Sequence, residues 1–289
     1  MAHQPITAEL RRWIVEQTAA GHPPDIVIDA MKASGWGEAV AIDAFETTMR
    51  DHRTAAANGG IAPSDDDGAS AQPMPGAALA AGQSTVHIGD RDVRVVMAMQ
   101  SPRVVVVADL LSAGECEELI ALARSRLTRS ETVETATGGS AVNASRTSDG
   151  MFFKPAEFPV CARLEERLAV LVDWPIENGE GLQILRYRVG AEYRPHYDYF
   201  DPAEPGTPTI LKRGGQRLAS IVCYLNTPEA GGATVFPDIG LEVAPVQGNA
   251  VFFSYDRPHP STKTLHGGAP VTAGEKWVAT KWLRESRFE

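Results

Sequence analysis

Hydrophobic positions follow two regimes along the chain. Over residues 6–52 they recur at helical spacing. Leu10, Trp13, Ile14 and Val15 mark a helix over 6–20, which Gly21 ends and Pro23-Pro24 restarts. Ile26, Val27, Ala30 and Met31 mark a second helix over 25–34, and Val40, Ala41, Ala44, Phe45 and Met49 a third over 38–52. Together they predict a small α-helical bundle with Trp13, Trp36 and Phe45 in its core. From Thr85 the pattern turns strand-like. It predicts a hairpin of 86–88 with 93–99 and a short apolar strand over 104–107. A helix over 113–127 opens with a capping box, Ser112 with Glu115 three residues on. A further helix covers 159–171. Strands then dominate, at 182–188, 193–199, 217–225, 233–236, 240–244, 249–254, 260–266 and 276–284. Such a run with polar turns predicts a mainly β domain with buttressing helices, a double-stranded β-helix or jelly-roll. Residues 128–142 and 201–216 read as loops. The second, which holds Pro202, Pro205 and Pro208, has the length of a segment that closes over a substrate.

Composition separates the two regimes. Residues 56–84 are rich in Ala, Gly, Ser, Pro and Asp and include Asp65-Asp66-Asp67-Gly68. Such a stretch cannot bury a core and reads as a flexible linker. Three parts result: a helical module over 1–55, the linker over 56–84, and the β domain over 85–289. The net charge of -10 argues against nucleic acid or an anionic membrane as partner. No apolar run approaches the about 18 residues of a membrane span, and no signal-like apolar core stands at the N-terminus. Cys116, Cys161 and Cys223 show no Cys-X-X-Cys spacing, which fits reduced thiols and a cytoplasmic setting.

The candidate chemistry lies in 182–200, around His196-Tyr197-Asp198. A His and an Asp two apart on a strand point to one side of the sheet. With His266 as third ligand they would form a metal site with open positions, the arrangement of non-haem Fe(II) oxygenases. A structural zinc would need a fourth ligand, and none is evident. Lys276, Val278, Thr280 and Trp282 share a strand face by period two. A Lys inside an apolar barrel requires an anion beside it. Gln183, Leu185 and Tyr187 likewise share a face, which puts the tyrosine hydroxyl inside. Trp277 has the opposite parity and is expected outside the barrel. His259 reads as a loop residue, Cys223 as core, and Arg146 as either a partner contact or a surface ion pair.

Further blocks accompany these residues: Tyr187-Arg188-Val189-Gly190, Gly214-Gly215-Gln216-Arg217, Tyr224-Leu225-Asn226 and Gly231-Gly232-Ala233-Thr234-Val235-Phe236-Pro237. With His-X-Asp, a distal His and a Lys ten residues beyond it, the chain from about 90 to 285 resembles the prolyl 4-hydroxylase family of Fe(II)- and 2-oxoglutarate-dependent dioxygenases. The resemblance implies that His196, Asp198 and His266 hold iron and that Lys276 pairs with the distal carboxylate of 2-oxoglutarate, with Tyr187 and Thr234 as hydroxyl partners. It implies a peptide groove lined by Tyr193, Arg217 and Trp282. The implied reaction uses O2, with ascorbate maintaining Fe(II), and hydroxylates a prolyl residue of a peptide or protein while releasing succinate and CO2. Two other classes stay open: a related dioxygenase acting on lysyl residues or a free amino acid, and a non-catalytic jelly-roll binding protein. The target protein and the oligomeric state are not fixed by the sequence.

Overall fold

A computed structural model describes residues 8–19, 22–34, 36–57, 74–76, 79, 82–130, 132–134, 139–141 and 145–289. The chain forms two compact units, Met1–Gln72 and Pro73–Glu289.

The first unit holds α1 (Ala8–Ala19), α2 (Pro24–Ala33) and α3 (Glu38–Ala57). Pro24 opens α2, where a missing N–H is harmless. Ile14, Val27, Met31, Ala41, Ala44 and Phe45 form the core, with Trp13 and Trp36 partly buried against it. The third helix runs five residues past the expected end, through Ala55-Ala56-Ala57, because alanine is the strongest helix former.

The second unit runs β1 (Thr85–His87), β2 (Asp92–Met99), β3 (Arg103–Ala108), α4 (Ala113–Arg124), β4 (Thr128–Arg129), β5 (Thr132–Glu134), β6 (Gly139–Ala141), β7 (Asp149–Phe152) and α5 (Pro159–Val172). It continues with β8 (Gln183–Tyr187), β9 (Tyr193–His196), α6 (Thr207–Leu211), β10 (Arg217–Tyr224), β11 (Ala230–Gly231), β12 (Thr234–Phe236) and β13 (Leu241–Val243). The last strands are β14 (Ala250–Ser254), β15 (His266–Gly268), β16 (Val271–Ala273) and β17 (Lys276–Arg284). A large antiparallel sheet has the order β1-β2-β3-β14-β10-β17-β8-β7-β4, and a smaller one the order β13-β12-β15-β9.

The apolar runs of β3, β10, β14 and β17 are continuous rather than alternating because both faces of the large sheet are covered. One face, with Val105, Val107, Ala219, Ile221, Phe252, Trp277 and Ala279, packs under α4 and α5, whose Leu119, Leu164, Leu168 and Leu171 close the same core. The other, with Val104, Val106, Leu185, Val251, Phe253 and Val278, packs with Phe236 and Val243 of the small sheet. This is the double-stranded β-helix, and the candidate site opens within its inner face. Trp277 does lie outside the barrel, yet it is buried beneath the helices. Ser112 and Glu115 form the expected capping box.

Four expectations change. Strand β9 stops at His196, so Asp198 sits in a bend and not on the strand. Residues 260–262 form a 3-10 turn, and the strand begins only at His266. The 128–142 stretch carries β4 and the β5–β6 hairpin. The 56–84 linker lies largely outside the described residues, but its end is packed: Leu79 is buried in the main core, and the Gly76 N–H donates to the Val172 carbonyl at 2.6 Å.

Candidate active site

His196 and His266 are direct register partners across β9 and β15. Their rings are 4.4 Å apart between centroids. Gly267 permits this approach, since a Cβ there would stand 2.7 Å from the Tyr193 carbonyl oxygen. The bend after β9 then returns Asp198 beneath both imidazoles. Its two carboxylate oxygens lie 3.4 Å from His196 Nε2 and 3.4 Å from His266 Nε2. All three ligand atoms fall within 4.8 Å of one another.

The protonation states suit a cation. Nδ1 of His196 faces the Arg194 carbonyl at 2.9 Å, and Nδ1 of His266 faces the Thr264 carbonyl at 3.0 Å. Each Nδ1 therefore carries the proton and donates it, which leaves both Nε2 lone pairs directed at the centre. Burial pushes His266 down to about 4 and keeps its imidazole neutral. Burial alone would raise Asp198. The neighbouring His266, His196 and Arg217 outweigh it and hold the carboxyl well below its usual range. Ser220 adds a hydrogen bond to Asp198 Oδ2 at 2.5 Å and is itself 3.1 Å from the Tyr255 hydroxyl. Two imidazoles with Nε2 toward the centre and one ionised carboxylate fit a divalent metal with open coordination positions.

Beside this triangle lies Lys276, 3% exposed. Among the described residues no carboxylate stands within ion-pair reach of it. Its Nζ sits between the rings of Tyr187 at 5.4 Å and Tyr224 at 5.7 Å. Burial lowers its pKa to about 8. Lys276 pairs with Tyr187 across β17 and β8, so both face inward as the strand parity predicts. Thr234 on β12 lines the same space and accepts a hydrogen bond from the Tyr224 hydroxyl at 2.8 Å. A buried ammonium without a counter-ion, flanked by hydroxyls, fits a carboxylate ligand.

On the other side of the triangle a cavity of about 430 Å³ opens to solvent, lined among others by Tyr193, Tyr197, Phe200 and Trp282. Tyr193 stacks on His196 with centroids 3.6 Å apart, and Arg146 lies over its opposite side at 4.8 Å. Arg146 is buried and donates to Gln183 Oε1 at 2.7 Å. It lines the cavity rather than the outer surface. Trp282 faces the triangle, and its Nε1 has no hydrogen-bond partner among the described residues. Arg217 lines the cavity from behind: it is 8% exposed, paired with Glu180 at 2.6 and 2.9 Å, and stacked under Trp282 at 4.1 Å.

His196, Asp198, His266, Lys276, Tyr187 and Thr234, with Tyr193, Arg217 and Trp282, therefore converge on one site. Ser220, Tyr224 and Glu180 were missed. Ser220 pairs with Trp282, and Tyr224 with Val278, across β10 and β17. Their inward parity becomes readable once β10 is known to neighbour β17. Glu180 precedes its strand and carries no such signal.

Residues 182–284 match the family model of the 2OG-Fe(II) oxygenase superfamily. The chain is similar to prolyl 4-hydroxylase 5 of Arabidopsis thaliana, 39% identical over 222 residues that cover 70% of this chain and 74% of that protein. It is also similar to prolyl 4-hydroxylase 1 of the same plant, 42% identical over 64% of this chain and 70% of the relative. Among solved structures it resembles the viral collagen prolyl hydroxylase of Paramecium Bursaria Chlorella virus-1 in its 2OG complex. The identity there is 28%, over 63% of this chain and 94% of the viral one, with a TM-score of 0.49. With a jelly-roll whose inner face carries a His-Asp-His triangle beside a buried lysine, and with this likeness to the plant enzymes, the chain belongs to the prolyl 4-hydroxylase family of Fe(II)- and 2-oxoglutarate-dependent dioxygenases.

Proposed function

We propose that this chain hydroxylates a prolyl residue in a peptide or protein substrate. The observation that carries the reading is the pairing of the His196–Asp198–His266 triangle with the buried ammonium of Lys276, which meets no carboxylate among the described residues, on the same inner face. His196, Asp198 and His266 would hold Fe(II), which with O2 and 2-oxoglutarate supplies the oxidising chemistry and releases succinate and CO2. Lys276 meets the distal carboxylate of 2-oxoglutarate. Because Thr234 already accepts from Tyr224, its own proton is free to donate to that carboxylate. Tyr187 stands beside the same group and, with Tyr224, shields the charge pair from water. The substrate proline enters the cavity on the far side, between Tyr193 and Trp282, with Arg217 setting the indole from behind. Ascorbate keeps the iron reduced between turnovers, and the reduced cysteines suit a cytoplasmic setting.

The test is incubation with Fe(II), 2-oxoglutarate, O2 and a proline-containing peptide, following succinate and peptide mass. One oxygen atom gained per succinate is expected, on proline and not on a lysyl peptide or free amino acid. Absence of any 2-oxoglutarate turnover would return the fold to the binding-protein class.

A further inference from the structure

Residues 201–216 leave the triangle after Asp198 and return to it at Arg217. Their length fits a segment that closes over a substrate, and the structure ties its second half, residues 210–216, to the end of β17. They contain the short helix α6, and behind it stands Arg284, the last residue of β17, 1% exposed. Its Nη2 donates to the Ile210 and Arg213 carbonyls at 3.1 and 2.6 Å, and its Nη1 to Glu180 Oε1 at 3.1 Å. Glu180 thus joins Arg284 to Arg217, whose Nη1 reaches the Asp198 carbonyl at 3.4 Å.

The residues after β17 extend the clamp. Glu285 N donates to the Gln216 carbonyl at 3.0 Å, and Gln216 N to Glu285 Oε2 at 2.7 Å. Ser286 N donates to the Gly214 carbonyl at 3.0 Å. Arg213 Nε donates to the Glu289 carbonyl at 2.6 Å, and its guanidinium lies over the Phe288 ring at 4.5 Å. Gly214 and Gly215, at φ of 87° and 76°, make the turn this contact needs. On the cavity side, the Gln216 side chain accepts from Phe200 N and donates to the Phe200 carbonyl, each at 2.8 Å. The Phe200 ring lies against both Arg217 at 4.8 Å and Arg284 at 5.1 Å.

Resting on the prolyl hydroxylase reading above, we infer that Arg284 is a positioning residue for the substrate wall. Through the clamp over 201–216 it fixes Phe200, and through Glu180 it fixes the guanidinium under Trp282, so the wall is set before substrate arrives. Preorganisation of this kind lowers the ordering penalty of binding. No hydrogen bond of the clamp reaches Lys276, Tyr187 or Thr234, and it meets the triangle only through Arg217 at the Asp198 carbonyl, so peptide handling should depend on it more than 2-oxoglutarate handling does.

The test compares full-length wild type with Arg284→Ala, Arg284→Lys and Phe288→Ala. Each is assayed for peptide KM, for 2-oxoglutarate KM in peptide-free turnover, and for hydrogen exchange of 201–216. For Arg284→Ala the expected results are a peptide KM raised about tenfold or more, a 2-oxoglutarate KM within about twofold, and faster exchange confined to 201–216 and 284–289. Phe288→Ala should shift the same quantities in the same direction. Arg284→Lys should recover part of the peptide KM, since an ammonium can still donate to the carbonyls although it lacks the fork. An unchanged peptide KM overturns the inference, as does equal loss of peptide and 2-oxoglutarate handling with exchange rising throughout the unit, the signature of a merely structural residue. If wild type fails to hydroxylate any proline peptide, the proposed function falls. Exchange then still decides the clamp: rapid exchange of 201–216 in the wild type would reject it.

Discussion

Ser220 and Asp198 are joined by a 2.5 Å hydrogen bond from a strand-borne hydroxyl to a carboxylate in a bend. The bend has no sheet partner to orient it, so Ser220 performs that task. Ser220→Ala should leave the fold intact and weaken Fe(II) binding about 10- to 100-fold, as loss of an outer hydrogen bond to a metal ligand does. Anaerobic Fe(II) titration in the presence of 2-oxoglutarate measures it. Affinity equal to wild type would mean that Arg217 and the backbone orient the carboxylate unaided.

His266→Ala should abolish succinate formation while circular dichroism and melting stay close to wild type. Of the apolar layers only Phe253 and Phe236 lie against the His266 ring, at 4.4 and 6.0 Å, so the rest of the inner core is untouched by the change. Iron-dependent turnover by this variant would reject His266 as a ligand.

Lys276→Met should separate stability from function. In the ligand-free protein the buried ammonium is depressed from its ordinary 10.5 to about 8. That shift amounts to about 3 kcal/mol of penalty at neutral pH. Methionine relieves it, so melting temperature should rise. The half-saturating 2-oxoglutarate concentration should rise as well, by more than about a hundredfold, since breaking a buried charge pair costs on the order of 3–5 kcal/mol. A lower melting temperature with normal 2-oxoglutarate saturation would contradict both halves.

The same lysine sets a pH dependence. The unfolded chain keeps this proton up to about 10.5, whereas the folded, ligand-free protein releases it near 8. Between those values the unfolded state binds more protons, so this group's contribution makes stability rise with pH. Binding of a carboxylate needs the protonated form and runs the other way. The 2-oxoglutarate KM should be flat below about pH 8 and climb above it, approaching about tenfold per pH unit. KM measured from pH 7 to 9.5 checks this, and a KM that falls over that range has the wrong sign.

Removing Met1–Gln72 should leave peptide-free 2-oxoglutarate turnover unchanged, because the metal and anion residues all lie in the second unit. The cut belongs before Pro73, not at 84, since Gly76 and Leu79 pack into that unit. If the helical unit recruits the protein target, activity on that target falls while activity on a short peptide does not. Equal loss on both, with a lowered melting temperature, would reject recruitment.

Much of the architecture was legible because the apolar runs of β3, β10 and β14 and the helical spacing of α4 and α5 are local signals. The inward set Tyr187, Lys276 and Trp282 followed from strand parity alone. Asp198 shows the limit: its proximity to His196 was expected from parity, but it comes from a bend, whose geometry depends on Ser220 and Arg217 about twenty residues away. The ties of the 201–216 segment were hidden for the same reason. Its prolines and glycines signal irregular backbone, while Arg284 and Gln216 hold part of it through carbonyls and an amide that no pattern of side chains reveals. Arg146 is buried, and its contacts with Gln183 and the face of Tyr193 carry no charge pattern that a sequence could show.

The pairing of His196 with His266 has a consequence for assembly. Side chains alternate sides along a strand, so sliding β15 by one residue against β9 would turn His266 away from the barrel and present Gly267 in its place. A misregistered molecule could then offer only one imidazole and one carboxylate. The register between β9 and β15 is therefore a condition for a complete set of candidate ligands.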